Sequence, residues 1–254
     1  MSVDSERKLQ NKVKHWLIDD LGYIFLGNLE DRHNTPFKEE LLVANLKKRG
    51  YKKEQITKAV AELRSRVSNQ ADTLYQVNKA VYSLLRYGLQ GVKDEAGHRD
   101  TVHYIDWTDA GKRNNDFYVA EEVTVLRYDR TTTKRPDLVL YINGIAVGMF
   151  ELKRSCVSVG EGIRQMLTNQ KKENIENFFA TEQFLFAGNE AEGLRYGTTE
   201  TPEKYYLKWK EDTKATDALS AEIKALRKKS RICCGMALFL FVRRSVFFPL
   251  STTL

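Results

Sequence analysis

Two carboxylates and a lysine bracket one apolar stretch. Asp137 follows Arg135-Pro136, and Glu151-Leu152-Lys153 closes the run that starts at Leu138. In a strand, residues i and i+2 project to one face, so Glu151 and Lys153 sit side by side while Leu152 points away. A second carboxylate beside them would supply hard oxygen ligands for a cation such as Mg²⁺, and the Leu152 carbonyl could add another. A cation held by Asp137 and Glu151 would lower the pKa of its water and polarise a phosphoryl oxygen. Lys153 would orient that water or neutralise developing negative charge. These residue types suit metal-assisted hydrolysis of a phosphodiester. Without metal, two adjacent carboxylates should repel, raising at least one pKa.

Whether Asp137 reaches Glu151 depends on the turn between them. Asn143-Gly144 is a strong hairpin signal. A plain two-residue turn would pair Asp137 with Phe150, on the wrong face. A three-residue turn with Gly144 left-handed and a G1 bulge pairs Asp137 with Met149 and restores a shared face. That bulge, or an equivalent one, is expected. The flanking segments VLYI and IAVGMF are apolar on both faces, the mark of central strands covered by helices. The bland reading, solvated charges at the ends of an ordinary hairpin, fits a buried hairpin less well.

Other candidates are weaker. Glu6 shares a helical face with Gln10, Val13 and Leu17 and could approach a metal, although an acid in a first turn is also favoured by the helix dipole. On the helix after Lys153, Gln165 could touch a phosphate backbone, and Arg164, Lys171 and Lys172 could add contacts. A solvated helix face accounts for these equally well. Glu121-Glu122 lie in a strand-like segment, so one of them should face inward and could mark the site's rim, although edge-strand charges are the simpler reading. His98 and His103 have no partner at ligand spacing.

Several elements must position the triad. Helices are expected at 5–20, 38–48, 53–65, 72–87, 162–174 and 215–229 from apolar residues at helical spacing. Strands are expected at 101–107, 117–128, on both sides of Asn143-Gly144, at 184–187 and 194–198, with a Tyr/Trp-rich stretch at 205–209. The result is an α/β class with a helical part over about 1–90 and a sheet core over about 100–200. A chain of 254 residues can bury such a core. Its net charge of +7 fits a polyanionic partner such as double-stranded DNA. Three cysteines without ligand spacing exclude a disulfide framework or zinc site. The first residues, MSVDSERKLQ, contain no apolar signal region, and a cytoplasmic setting without membrane is expected. Residues 232–254 lack acidic residues, and Arg243-Arg244 split their apolar run. They read as a buried terminal element or, preferentially, a non-native tail after an endonuclease domain over 1–231.

Long strings then carry a resemblance: SERKLQNKVKHWLIDDLGYIFLGN, LYQVNKAVYSLLRYG, AEEVTV, KRPDLVLYINGIAVGMFELKRS and RYGTTETPEKYYLKWKED. Over roughly Ser5 to Asp212 the chain resembles the N-terminal region of the R (restriction) subunit of type I restriction–modification enzymes. The resemblance implies a PD-(D/E)XK nuclease fold, a mixed sheet flanked by helices, and Mg²⁺-dependent cleavage of unmodified double-stranded DNA. Asp137, Glu151 and Lys153 match the family's catalytic positions. Related nucleases carry Gln-x-x-x-Tyr on the next helix; Gln165 fits its start, but Asn169 replaces the tyrosine. Mn²⁺ is expected to substitute for Mg²⁺. The intact enzyme would use ATP through motor domains and work with modification and specificity subunits. No G-x-x-x-x-G-K-[ST] loop occurs here, so a chain truncated before the motors is expected. The alternative is a DNA-holding or docking module whose nuclease is silent without them.

Overall fold

The computed structural model describes residues 3–93, 97, 99–108 and 111–208. Helix α1 (Val3–His15) runs into a wider turn at Trp16–Asp20, and Gly22, at φ 64°, lets the chain reverse. Strand β1 (Ile24–Asn28) follows, then α2 (Glu39–Lys48), α3 (Lys53–Val67) and α4 (Leu74–Tyr87). Thr73 caps α4: its hydroxyl accepts from the Gln76 N–H while the Gln76 side chain accepts from the Thr73 N–H. These helices match the expected ones to within about three residues, because each has a one-sided apolar stripe.

The remaining elements are β2 (Leu89–Lys93), β3 (Arg99–Val102), a short α5 (Gly111–Asn114), β4 (Phe117–Glu121), β5 (Val125–Leu126), β6 (Thr133–Lys134), β7 (Leu138–Ile142), β8 (Ile145–Leu152), α6 (Val159–Asn169), β9 (Phe184–Asn189), β10 (Gly193–Gly197) and β11 (Leu207–Lys208). Seven strands form one sheet in the order β1-β4-β7-β8-β9-β10-β11. The β1–β4 and β8–β9 pairs are parallel and the other pairs antiparallel, so the sheet is mixed. α6 makes the crossover that a parallel β8–β9 pair requires.

Each face of the sheet carries its own core. Leu138, Leu140, Phe150 and Leu152 pack with Leu9, Val13 and Leu17 of α1 and with apolar residues of α2–α4. Val139, Met149, Leu185 and Ala187 pack with Val159, Ile163 and Met166 of α6. The double cover expected for the central strands is present.

Several expectations need correction. The strand expected at 101–107 ends at Val102, and the helix expected at 162–174 runs over Val159–Asn169. β1 and β2 are strands where none was expected; both are five residues long, too short for periodicity to separate from loop. The strand expected over 117–128 breaks at Glu122, whose left-handed φ of 52° bends the chain out of the sheet before β5. The edge-strand reading of Glu121-Glu122 also fails. β4 is an interior strand between β1 and β7, and Glu121 is buried. Arg7 bonds both glutamates and Lys14 bonds Glu121; ion pairs from α1 compensate the burial. Trp209, the helix expected at 215–229, His98 and the 232–254 tail lie outside the described residues, as do Cys233 and Cys234; Cys156 is exposed.

Candidate active site

A bulge decides whether the two carboxylates meet. The turn is the plain two-residue form. Ile142 pairs with Ile145, and Asn143 and Gly144 both have left-handed φ, 54° and 85°. The surroundings clamp it. The buried Asn143 side chain donates to the Tyr104 carbonyl and Asn115 Oδ1, both at 2.8 Å, and accepts from the Asp116 N–H at 2.7 Å. A Cβ on Gly144 would fall 2.7 Å from the Lys38 carbonyl of the segment leading into α2. The register slips further along instead: Tyr141 faces Ala146 but Leu140 faces Gly148, leaving Val147 as the extra residue. One extra residue exchanges the two faces of the strand beyond it. Leu138 therefore pairs with Phe150, and the next step sets Asp137 opposite Glu151. The expected bulge exists in an equivalent form, but inside β8 rather than at the turn, and Asp137's partner is Glu151 rather than Met149.

Asp137 is held by its neighbours. Its Oδ2 accepts from the Leu152 N–H at 2.6 Å, and its backbone carbonyl accepts from the Glu122 N–H and from Gln10 Nε2, both at 3.0 Å. A residue in a strand presents its N–H and C=O to the same side, so the Leu152 carbonyl also points toward β7. Glu151 is 2% exposed. Its Oε1 accepts from Lys153 Nζ at 2.7 Å, while its Oε2 is buried with no hydrogen-bond partner. Lys153 Nζ also donates to Gln165 Oε1 at 2.9 Å. α6 can come this close because residue 162 is glycine: a Cβ there would lie 3.3 Å from Ala187 Cβ and 3.4 Å from the Glu151 carbonyl.

The electrostatics follow from burial. Desolvation raises the Glu151 carboxyl well above the usual carboxylate range, and the Asp137 charge raises it further against the pull of Lys153. Asp137 moves the same way, chiefly by burial, opposed by the Leu152 N–H and Lys153. Burial alone would lower the Lys153 ammonium, but Glu151 and Asp137 outweigh it and the net shift is upward. Glu6 is close enough to raise all three.

An open cleft of about 550 Å³ adjoins the triad, lined among others by Glu6, Lys153, Arg154, Arg164 and Gln165. Glu6 reaches the cleft, although among the described residues no three or more His, Cys, Asp or Glu residues form a metal-holding group. Arg164 lines the cleft with its guanidinium engaged by Glu161 at 2.7 Å and Glu203 at 2.6 Å. Lys171 and Lys172 follow the end of α6, and Lys172 lines a separate groove with Arg127 and Tyr128. The structure therefore gathers Asp137, Glu151, Lys153, Gln165 and Glu6 and leaves Lys171 and Lys172 aside.

Three residues at the site escaped sequence reasoning. Gln10 was legible only as part of a helical stripe, and Gly162 only as a helix start. Glu122 meets the lesser of its two sequence readings, the site's rim, rather than the edge-strand one. Arg154 follows the motif directly and has no side-chain partner among the described residues.

Residues 4–204 match the family described as type I restriction enzyme R protein N terminus. The chain belongs to this family. It is also 29% identical over 136 residues to a protein of Methanocaldococcus jannaschii named "Putative type I restriction enzyme MjaIXP endonuclease subunit". That match covers 52% of this chain and 13% of the relative's length. Among the described residues no helix is long and apolar enough to cross a membrane. The family match spans the whole hairpin, all three motif residues and α1 from Asp4 onward.

Proposed function

We propose that the chain is a metal-dependent endonuclease domain of the PD-(D/E)XK type that hydrolyses phosphodiester bonds of unmodified double-stranded DNA. One observation carries this reading: the β8 bulge sets Asp137 opposite a buried Glu151 whose second oxygen has no donor, with the Lys153 ammonium at the first. A buried anionic oxygen without a partner costs several kcal/mol unless a cation satisfies it. Two carboxylates and a strand carbonyl are the hard donors that Mg²⁺ prefers, and Mn²⁺ would serve in its place. Asp137 and Glu151 would hold the ion, with Glu6 adding negative charge at the cleft. The bound ion would supply a water of lowered pKa and polarise the phosphoryl oxygen.

The protein's own groups divide the remaining work. Lys153 donates two of its three protons to Glu151 and Gln165, which leaves one for a water or a phosphate oxygen. Held by Glu151 and Gln165, the Lys153 ammonium orients the water and neutralises developing negative charge. Gln165 fixes the Lys153 rotamer. Arg154 offers an unengaged guanidinium to a neighbouring phosphate. ATP-driven motors and modification and specificity subunits belong to the intact enzyme in this proposal.

The test is nicking of supercoiled DNA. The wild-type chain with Mg²⁺ or Mn²⁺ is expected to nick, and Lys153→Ala to abolish nicking. Unchanged activity in Lys153→Ala would refute the site. DNA binding without nicking by either protein would favour a silent holding or docking module.

A further inference from the structure

Asp137 is gripped through its backbone as well as its carboxylate, and the second grip comes from a helix more than a hundred residues away in sequence. Gln10 is 4% exposed on α1. Its Nε2 donates to the Asp137 carbonyl and to Glu122 Oε1, both at 3.0 Å, using both amide protons. Glu122 donates its own N–H to the same carbonyl at 3.0 Å. Its side chain is also bound by Arg7 Nη1 at 2.8 Å and by Arg135 Nε at 2.8 Å. Glu122 holds an unfavourable left-handed φ to do this, the kind of local strain that persists only where its surroundings over-determine it.

We infer that Gln10 and Glu122 form a latch that positions Asp137 for cation binding. The inference rests on the metal-site reading above. Gln10 touches neither carboxylate oxygen of Asp137, so it is a positioning residue. The physical reason is rotational. The Leu152 N–H holds one carboxylate oxygen, but the residue's backbone precedes the first paired residue of β7. The ladder reaches the peptide that follows Asp137 through Leu138, which pairs with Phe150, and the latch holds the carbonyl end of that peptide. Arg7 and Lys14 hold α1 against Glu121 and Glu122, so the helix that carries Gln10 also sets where Glu6 enters the cleft.

The test uses Gln10→Glu, which keeps side-chain volume but turns two donated bonds into repulsion against two acceptors. Lys14→Ala is the control: it removes a contact of the same helix, to Glu121, without touching Asp137. Mn²⁺ affinity is measured by calorimetry on the full chain, alongside melting temperature without metal. Outer-shell partners of metal ligands typically contribute about 10- to 100-fold in affinity. Gln10→Glu is expected to weaken Mn²⁺ binding about tenfold or more, and Lys14→Ala less than about threefold at a similar loss of melting temperature. Equal weakening in both variants would mean that the helix is merely anchored and would overturn the latch. If the wild-type chain bound no Mn²⁺, the latch and the metal site would fall together. Should the wild type bind Mn²⁺ while Gln10→Glu binds as well, the latch alone falls.

Discussion

Replacing Glu151 with Gln should make the metal-free protein more stable, and increasingly so as pH rises. Glu151 is 2% exposed with one unpartnered oxygen. Its folded pKa is raised above the ordinary value of 4.5. Below that value the folded and unfolded chains both hold the proton, and the carboxyl costs nothing extra. As pH rises, the unfolded chain releases its proton first while the folded chain keeps it, so folding stability falls until the folded group also ionises. Gln cannot ionise, and its amide oxygen can still accept from Lys153. Each tenfold change in proton affinity corresponds to about 1.4 kcal/mol. The raised value already includes the pull of Lys153, and relaxation around the buried charge leaves a gain of about 1–3 kcal/mol at the alkaline end. For a domain of this size that is roughly 2–10 °C in melting temperature. The assay is thermal unfolding in chelator from about pH 5 to 8, repeated with Mg²⁺. The difference should be near zero at the acidic end, widen with pH, and reverse when Mg²⁺ stabilises only the wild type. A Gln variant less stable than wild type at about pH 8 without metal, or a difference independent of pH, would refute the reasoning.

Two further outcomes follow from the same geometry. Arg154→Ala should raise KM for DNA about tenfold with little change in kcat, since a charged hydrogen bond to phosphate contributes about 1.5 kcal/mol or more. The salt dependence of binding, followed by fluorescence anisotropy, should lose about one phosphate contact; an unchanged slope would remove Arg154 from the DNA path. Gly162→Val should push α6 away from Glu151, part Gln165 from Lys153 and lower activity and Mn²⁺ affinity together. Retention of both would show that the close approach seen at Gly162 is immaterial to the site.

α1 deserves its place among the functional elements. Its apolar stripe, Leu9, Val13 and Leu17, sits in one sheet core, and Gln10 on the edge of that stripe, with Arg7 and Lys14 beside it, reaches the end of the sheet. In the proposed reading, such a helix anchors the core with one face and positions the candidate site with the other. Its apolar stripe was readable from spacing. The destination of its polar face was not, because hydrogen-bond partners a hundred residues away leave no periodic signal.

By itself the sequence determined the helices with apolar stripes and caps, the central hairpin, and the pairing of Glu151 with Lys153. All of these are local: they depend on spacing within a turn or strand, and the strand period places residues 151 and 153 together whatever surrounds them. The family strings lie in that same local record. Tertiary structure alone decided where the hairpin slips. β8 is apolar on both faces, so its pattern is equally content in either register, and only the clamps on Asn143 and Gly144 moved the extra residue to Val147. It also decided that β4 is an interior strand, that Gln10 and Glu122 hold the Asp137 carbonyl, and that Arg164 is engaged by acids while the Arg154 side chain has no partner among the described residues. Each of these is a contact between segments distant in the chain, and such contacts exist only once the sheet has closed around them.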